Sequence, residues 1–89
     1  MKTFEDLEFK KVSEFIAQTR AKMFFKNGYG VSVITGGYGN ESCPYELAVL
    51  FGDENNNELS YNTPVTNDVE GYLTSEVVTR LMLQVQALP

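Results

Sequence analysis

The segment FFKNGYGVSVITGGYG, residues 24–39, contains five glycines, and glycine-rich loops are one means by which proteins bind phosphate. A phosphate-binding loop needs the spacing G-x-G-x-x-G and must lead into a helix, whose first backbone N–H groups bind the anion. Gly28 and Gly30 are followed by Val33 where the third glycine is needed, and strand-type residues follow the segment. The sequence therefore predicts no phosphate site. It predicts a flexible loop in which Tyr38 is exposed to a partner or a small ligand.

Metal and catalytic sites are restricted by the absence of histidine and by the presence of a single cysteine, Cys43. Zinc and iron–sulfur sites within one chain, and nucleophiles activated by histidine, cannot be built from this composition. Asp53, Asn55 and Asn57 match the first ligands of a calcium-binding loop, but Glu58 occupies the position that requires glycine. We therefore expect no metal, no cofactor and no enzymatic activity.

One carboxylate stands apart from the others because Glu46 lies inside YELAVLFG, the most apolar segment of the chain. Acid–base catalysis requires a carboxylate whose pKa is shifted by burial or by a neighbouring charge. Two alternatives remain open for Glu46. It has an ion-pairing or functional role, with Arg20 or Lys22 as a partner across the sheet, or it lies on an exposed edge.

The 89 residues carry a net charge of −5, and this charge is unevenly distributed. Residues 1–26 contain six of the seven bases, whereas residues 27–89 contain Arg80 alone against eight acids. Such a chain repels phosphate over most of its surface, so we expect no nucleic-acid partner and favour a protein partner with a basic surface. The alternative is that the acidity only maintains solubility.

Membrane association is not expected from the sequence. No apolar run approaches the roughly 18–20 residues that span a bilayer. The N-terminal MKTFEDLEFKK has acids where a signal peptide has its apolar stretch. We expect a cytoplasmic location, which the single cysteine also suits.

The elements that position these residues begin with a predicted hairpin. Alternation of side chains over residues 17–25 indicates a strand, and YGVSVIT, rich in β-branched residues, indicates the returning strand. Asn27-Gly28 between them is typical of a type I′ turn, in which both residues have positive φ. Residues 12–17 fit either a strand or a helix that starts at Ser13.

Two further strands are predicted before the C-terminal part of the chain. Residues 45–52 are apolar on both alternating sets, which favours a central strand covered on both faces. Residues 58–63, ELSYNT, predict a half-polar strand with Leu59 and Tyr61 pointing inward.

The C-terminal part of the chain contains the clearest helical pattern. Residues 65–73 predict a loop with one helical turn, and Thr74 then caps a helix over residues 75–88. Its apolar residues form one stripe: Val77, Val78, Leu81, Met82, Val85 and Leu88. The predicted fold is a single α+β domain, residues 1–89, in which a four-stranded antiparallel β-meander carries this helix on one face.

The second face of such a sheet would expose Phe24, Ile34 and Leu50, together with Ala48. This is more contiguous apolar surface than a small monomer usually leaves in water. Either the N-terminal segment (Phe4, Leu7, Phe9 and Val12) covers it, or a second copy does, which makes a homodimer an expectation of the sequence.

The segments FKNGYGVSV, YELAVL and YNTPVTNDVEGYLTSEVV together resemble a small, uncharacterised protein family of bacteriophage genomes. The resemblance covers about residues 22–88 and keeps the segments in the same order. Asn62 and Asn67 stand where the family has aspartate, which removes two charges from that loop. The resemblance implies a viral accessory gene product, and it carries no activity or catalytic residue.

The function predicted from the sequence is binding, in which a small acidic accessory protein occupies a basic surface of a host protein. The alternatives are a homo-oligomeric structural or assembly protein and a small-ligand-binding protein that uses the Tyr38 loop. Exposed acids and tyrosines are the candidate partner-binding residues: Tyr38, Asp53, Glu54, Glu58, Tyr61, Asp68, Glu70 and Tyr72.

Overall fold

A computed structural model describes residues 1–66 and 68–89 of the chain. Asn67, one of the two positions that differ from the resembled family, lies outside the described residues. The described elements are a short 3₁₀ helix (Phe4–Asp6), β1 (Lys10–Ser13), β2 (Ile16–Phe24), β3 (Tyr29–Thr35), β4 (Tyr45–Gly52), β5 (Asn57–Leu59), β6 (Glu70–Leu73) and α1 (Ser75–Gln86).

The strands form one antiparallel sheet in which β1 to β4 lie in chain order. Both β5 and β6 pair with β4, β5 along residues 50–52 and β6 along residues 45–47. The predicted α+β class with an antiparallel sheet and a C-terminal helix is confirmed, but the strand count of four is wrong. Two strands account for the difference. The short, charged β1 has no clear pattern in the sequence, and β6 falls where a loop is predicted, because Gly71 interrupts any alternation.

One face of the sheet, the covered face, packs against α1. Direct cross-strand partners on this face include Met23 with Val31, and Val33 with Leu47. Val31, Val33 and Leu47 are fully buried, as are three helix residues: Val78, Met82 and Val85. Burying such side chains contributes about 1.5–3 kcal/mol each, so this layer is the main source of stability.

The helix begins where the sequence predicted, because the Thr74 side chain accepts a hydrogen bond from the Val77 backbone N–H at 3.3 Å. Its C-terminal end depends on a residue far away in the chain. The Asn27 side-chain amide donates to the backbone carbonyls of Val85 (2.8 Å) and Leu88 (3.1 Å). The last carbonyls of a helix lack donors from a following turn, and the Val85 carbonyl otherwise accepts from the Leu88 N–H at 3.2 Å, so Asn27 supplies an additional donor at the helix end.

The turn at Asn27-Gly28 is a hairpin turn, but it is not the predicted type I′. Gly28 has φ +88°, whereas Asn27 does not have a positive φ. The turn spans Phe25 to Gly28, closed by a hydrogen bond from the Gly28 N–H to the Phe25 carbonyl at 3.3 Å. The role of Asn27 in the structure is therefore its contact with the helix, not a left-handed backbone.

The N-terminal segment packs on the covered side of the sheet. Phe4, Leu7 and Phe9 lie against the buried core, and the ring centroids of Phe4 and Tyr45 are 4.9 Å apart. The Phe4 backbone N–H donates to the Thr79 hydroxyl at 3.0 Å, which fixes the segment on α1. The alternative in which Phe4, Leu7 and Phe9 cover the opposite face is therefore wrong.

We call the opposite face of the sheet the open face. A row of cross-strand partners runs over four strands on this face: Phe24, Gly30, Leu50 and Leu59. A Cβ built on Gly30 would lie 2.7 Å from a ring carbon of Phe24, so this ring lies over the glycine. Leu50 beside it is 3% exposed, contrary to the expectation of an exposed residue. Phe24 and Ile34, the other members of the expected oligomer face, are half-buried.

Candidate functional site

The edge of the sheet formed by β5 and β6 gathers most of the candidate partner-binding residues. All eight candidates are exposed. Glu70 lies opposite Leu47 of β4, and Glu58 lies opposite Phe51. Tyr61 and Asp68 belong to the segment that connects β5 with β6. We call Glu58, Asp68 and Glu70 the acidic edge.

The turn between β4 and β5 uses one of its acids for local structure. The Asp53 carboxylate accepts hydrogen bonds from the backbone N–H groups of Asn55 and Asn56, both at 2.9 Å. These contacts stabilise the turn, as aspartates commonly do. Glu54 lines a groove on the open face instead of the acidic edge. Exposed Leu59 and Tyr61 also correct the prediction that these side chains point inward.

Tyr38 lies in the β3–β4 loop, and the structure fixes this loop on its neighbours. The Tyr38 backbone N–H donates to the Glu46 carboxylate at 2.9 Å, and the Tyr38 carbonyl accepts from the Tyr72 N–H at 2.8 Å. Glu46 is therefore used to hold the loop. The predicted partners Arg20 and Lys22 lie on β2, beyond the intervening strand β3.

Tyr72 has a backbone conformation that tyrosine rarely adopts. Its φ is +55°, and it is the one non-glycine residue with a positive φ among those the structure describes. This conformation costs about 1–3 kcal/mol and persists only where surrounding structure imposes it. The hydrogen bond to Tyr38 and the pairing of β6 with β4 impose it here. The result is two neighbouring tyrosines, 67% (Tyr38) and 60% (Tyr72) exposed.

Glycines allow the close approach of this loop to β6. A Cβ built on Gly71 would lie 2.6 Å from the Tyr38 Cβ, and one built on Gly37 would lie 2.7 Å from the Glu46 carboxylate. Gly71 has no room for a side chain because the Tyr38 backbone lies beside it, whereas a side chain at Gly37 would displace the Glu46 carboxylate from its place under the loop. The loop thus has a packed interior, so a small ligand of Tyr38 would have to bind outside it.

A second charged surface, not identified from the sequence, lies on β1 and β2. An open groove of about 670 Å³ is lined by four of the chain's seven bases: Lys10, Lys11, Arg20 and Lys22. Phe24 and Val12 also line the groove, and Glu8 and Glu54 are its two acids. The clustering of bases before residue 27 indicated this surface, but only strand pairing brings β1 and β2 together.

Other kinds of site find no support in the described residues. No group of three or more acids and cysteines is close enough to hold a metal ion within residues 1–66 and 68–89. Cys43 is a half-buried free thiol. None of the helices described is both long and apolar enough to cross a membrane.

Comparisons with protein-family models, curated proteins and solved structures give no match to this chain. Its function must therefore be argued from the surfaces described above.

Proposed function

We propose that this chain is a non-catalytic protein-binding module whose β6 edge binds a basic surface of another protein. Tyr38 and Tyr72 are its aromatic anchors, and the acidic edge (Glu58, Asp68 and Glu70) supplies the complementary charge. In the setting that the family resemblance implies, the partner is a host protein whose basic surface is occupied by a viral accessory product.

The observation that carries this proposal is the conformation of Tyr72. The pairing of β6 and the hydrogen bond to Tyr38 impose a positive φ on Tyr72, and they hold its side chain exposed beside that of Tyr38. Strained residues of this kind cluster at functional sites, where the strain positions a side chain. Tyrosine is also enriched among the residues that dominate binding energy at interfaces.

The acids have a spacing that suits an extended basic surface. Glu70 and Glu58 pair with Leu47 and Phe51, which are four residues apart on β4. With a rise of about 3.3 Å per residue, the two acids lie about 13 Å apart along the edge. A partner with several spaced cations would neutralise both, whereas a single cation would not. Such complementarity raises the association rate and the specificity of binding.

A peptide-display selection against the immobilised protein tests the proposal even though the partner is unidentified. We expect enrichment of peptides that combine Lys or Arg with apolar residues. Because tyrosine anchors contribute strongly to interfaces, Tyr38→Ala and Tyr72→Ala should each weaken binding of a selected peptide about tenfold or more. The double variant Asp68→Lys, Glu70→Lys should abolish the salt dependence of binding.

Matched controls come from the turn between β1 and β2, on the other side of the sheet. Phe15→Ala removes a fully exposed aromatic residue, and Glu14→Lys reverses an exposed acid. Both should leave peptide binding unchanged. Equal loss with Phe15→Ala and Tyr72→Ala, or enrichment of acidic peptides, would contradict the proposed binding edge.

A further inference from the structure

The two outermost strands at opposite sides of the sheet carry opposite charge. In the part of the chain that the structure describes, β1 pairs only with β2, and β6 pairs only with β4. Each has four residues and one unpaired side. Lys10 and Lys11 lie on β1, whereas Glu70 begins β6. Exposed lysines on an edge strand discourage pairing with neutral or basic strands, but not with an acidic one.

The opposite charges of the two edges also lie at similar positions along the strand direction, as the cross-strand pairs show. Lys10 pairs with Arg20, which pairs with Ile34, which pairs with Glu46. Glu70 pairs with Leu47, the residue next to Glu46. Along the strand direction, Glu70 therefore lies one residue, about 3.3 Å, from Lys10, and two residues, about 6.6 Å, from Lys11. The Lys11 side chain is on the same face of the sheet as that of Glu70, because side chains alternate between faces along a strand.

The two edges are too far apart to neutralise each other within one chain. From β1 to β6 there are four strand-to-strand steps, through β2, β3 and β4. At about 4.8 Å for each step, this separates them by about 19 Å. The Debye length at physiological ionic strength is about 8 Å, so each edge acts as an independent charged surface.

An apolar feature lies at the same end of the sheet on each side. The tip of the β1–β2 hairpin exposes Phe15, whose side chain is 94% exposed, and Ile16. A Cβ built on Gly36, at the start of the Tyr38 loop, would lie 2.9 Å from the Ala17 carbonyl, so the loop begins beside this tip. Copies placed side by side without rotation would therefore bring the Phe15 tip of one near the Tyr38 loop of the next.

We infer that the basic surface on β1 and β2 receives the acidic β6 edge of a second copy of this chain. The inference rests on the proposed function, because it names one partner for that same edge. The contact is head-to-tail, and successive contacts produce an open chain of copies or a ring. A symmetric contact between two β1 edges would oppose Lys10 and Lys11 to their own copies, and two β6 edges would likewise oppose their acids. Charge thus selects the head-to-tail arrangement.

Charge exchange tests this arrangement. One variant, Lys10→Glu with Lys11→Glu, makes both edges acidic; the other, Asp68→Lys with Glu70→Lys, makes both basic while the net charge stays negative. At about 0.02 M salt the wild-type chain should show at least twice the 10.0 kDa monomer mass, falling to the monomer at about 0.5 M. Each variant alone should remain monomeric, and their mixture should regain the wild-type mass, because the reversed edges complement each other.

Control variants carry the same changes of charge elsewhere: Lys2→Glu with Lys26→Glu, and Glu5→Lys with Glu41→Lys. These residues are exposed and lie outside the two edges, and the variants should associate as the wild type does. A wild-type chain that stays monomeric at low salt and high concentration would overturn the inference. So would variants that associate alone, or a mixture that does not recover.

The Lys10→Glu, Lys11→Glu variant separates failure of this inference from failure of the proposed function. It keeps the tyrosines and the acidic edge. If it still binds the selected basic peptides while the wild type never self-associates, the proposed function stands and the inference is wrong. If neither peptides nor a second copy bind the β6 edge, both are wrong.

Discussion

The covered face and the β6 edge are adjacent in the sheet, but different interactions hold them in place. On the covered face, Leu47 and Val49 alternate with residues of the open face and are almost completely buried. At the edge, Tyr38 and Tyr72 remain exposed and are fixed by backbone hydrogen bonds and by close contact with Gly71. Non-directional burial of apolar area maintains the first region, and directional contacts maintain the second.

This difference indicates where stability and recognition reside. On the covered face, any loss of side-chain volume lowers the stability of the chain, but the packed side chains are not accessible to a partner. The edge presents aromatic rings and carboxylates, and its strained Tyr72 lowers the stability of the chain. We therefore expect substitutions in the two regions to separate stability from binding.

The largest loss of stability is expected on the covered face, where Met82 is fully buried. Met82→Ala leaves a cavity under the sheet and should reduce the free energy of unfolding by about 2–5 kcal/mol. Leu83, the next residue, is 37% exposed, and Leu83→Ala should cost less than about 1 kcal/mol. Denaturant unfolding of both variants measures the difference. Similar losses would show that α1 does not pack through the Met82 stripe.

The next effect concerns Asn27, which connects the β2–β3 turn with the end of α1. Asn27→Ala removes the donor to three carbonyls near the helix C-terminus and should cost about 1–3 kcal/mol. Asn56 is also a turn residue, but it is exposed, and Asn56→Ala should change stability by less than about 0.5 kcal/mol. The loss should appear first in hydrogen exchange of residues 83–88, as fraying of the helix end.

The elements that the sequence predicted are those defined by a local period. The 3.6-residue stripe predicted α1, the β-branched residues of YGVSVIT predicted β3, and apolar residues on both alternating sets of YELAVLFG predicted β4 as a central strand. The same reasoning found the turn at Asn27-Gly28 but not its type. Asn27 is determined by a helix end 58 residues away in the sequence, which no local pattern reveals.

The candidate site was predictable as a composition but not as an arrangement. Exposed acids and tyrosines follow from residue types, and all eight candidates are exposed. The placement of most of them along one edge depends on β6, whose four residues EGYL have no strand period. The positive φ of Tyr72 arises from pairing with β4 and with the Tyr38 loop, so it is a consequence of tertiary structure. The basic groove was missed for the same reason.

Tyr72→Gly should separate stability from binding, because glycine relieves the strain of a positive φ and also removes the exposed ring. Glycine adopts a positive φ without strain, which favours the folded state, but it also loses more entropy on folding. With a side chain that is 60% exposed, little packing is lost. We expect stability to be unchanged or raised by up to about 1 kcal/mol, and peptide binding to fall about as far as in Tyr72→Ala. A large loss of stability would show that the ring supports the fold.

The smallest effect is expected from two buried threonines in the segment that leads from β5 to β6. The Thr63 hydroxyl accepts from the Thr66 backbone N–H at 3.3 Å and donates to the Thr66 carbonyl at 3.4 Å. The Thr66 hydroxyl is also buried, but it has no hydrogen-bond partner among the described residues. Threonine and valine have nearly the same shape, so replacement by valine tests the hydroxyls alone.

Thr66→Val removes a buried polar group that gains nothing in return for its desolvation, so it should be neutral or stabilise by up to about 1 kcal/mol. Thr63→Val instead leaves the buried backbone groups of Thr66 without their partner and should destabilise by about 1 kcal/mol. Thermal unfolding of the pair measures the sign directly. If both variants lose stability equally, the Thr66 hydroxyl has a partner in the folded chain. If Thr63→Val also weakens peptide binding while Thr66→Val does not, the hydrogen bonds of this segment help to hold the β6 edge in its binding conformation.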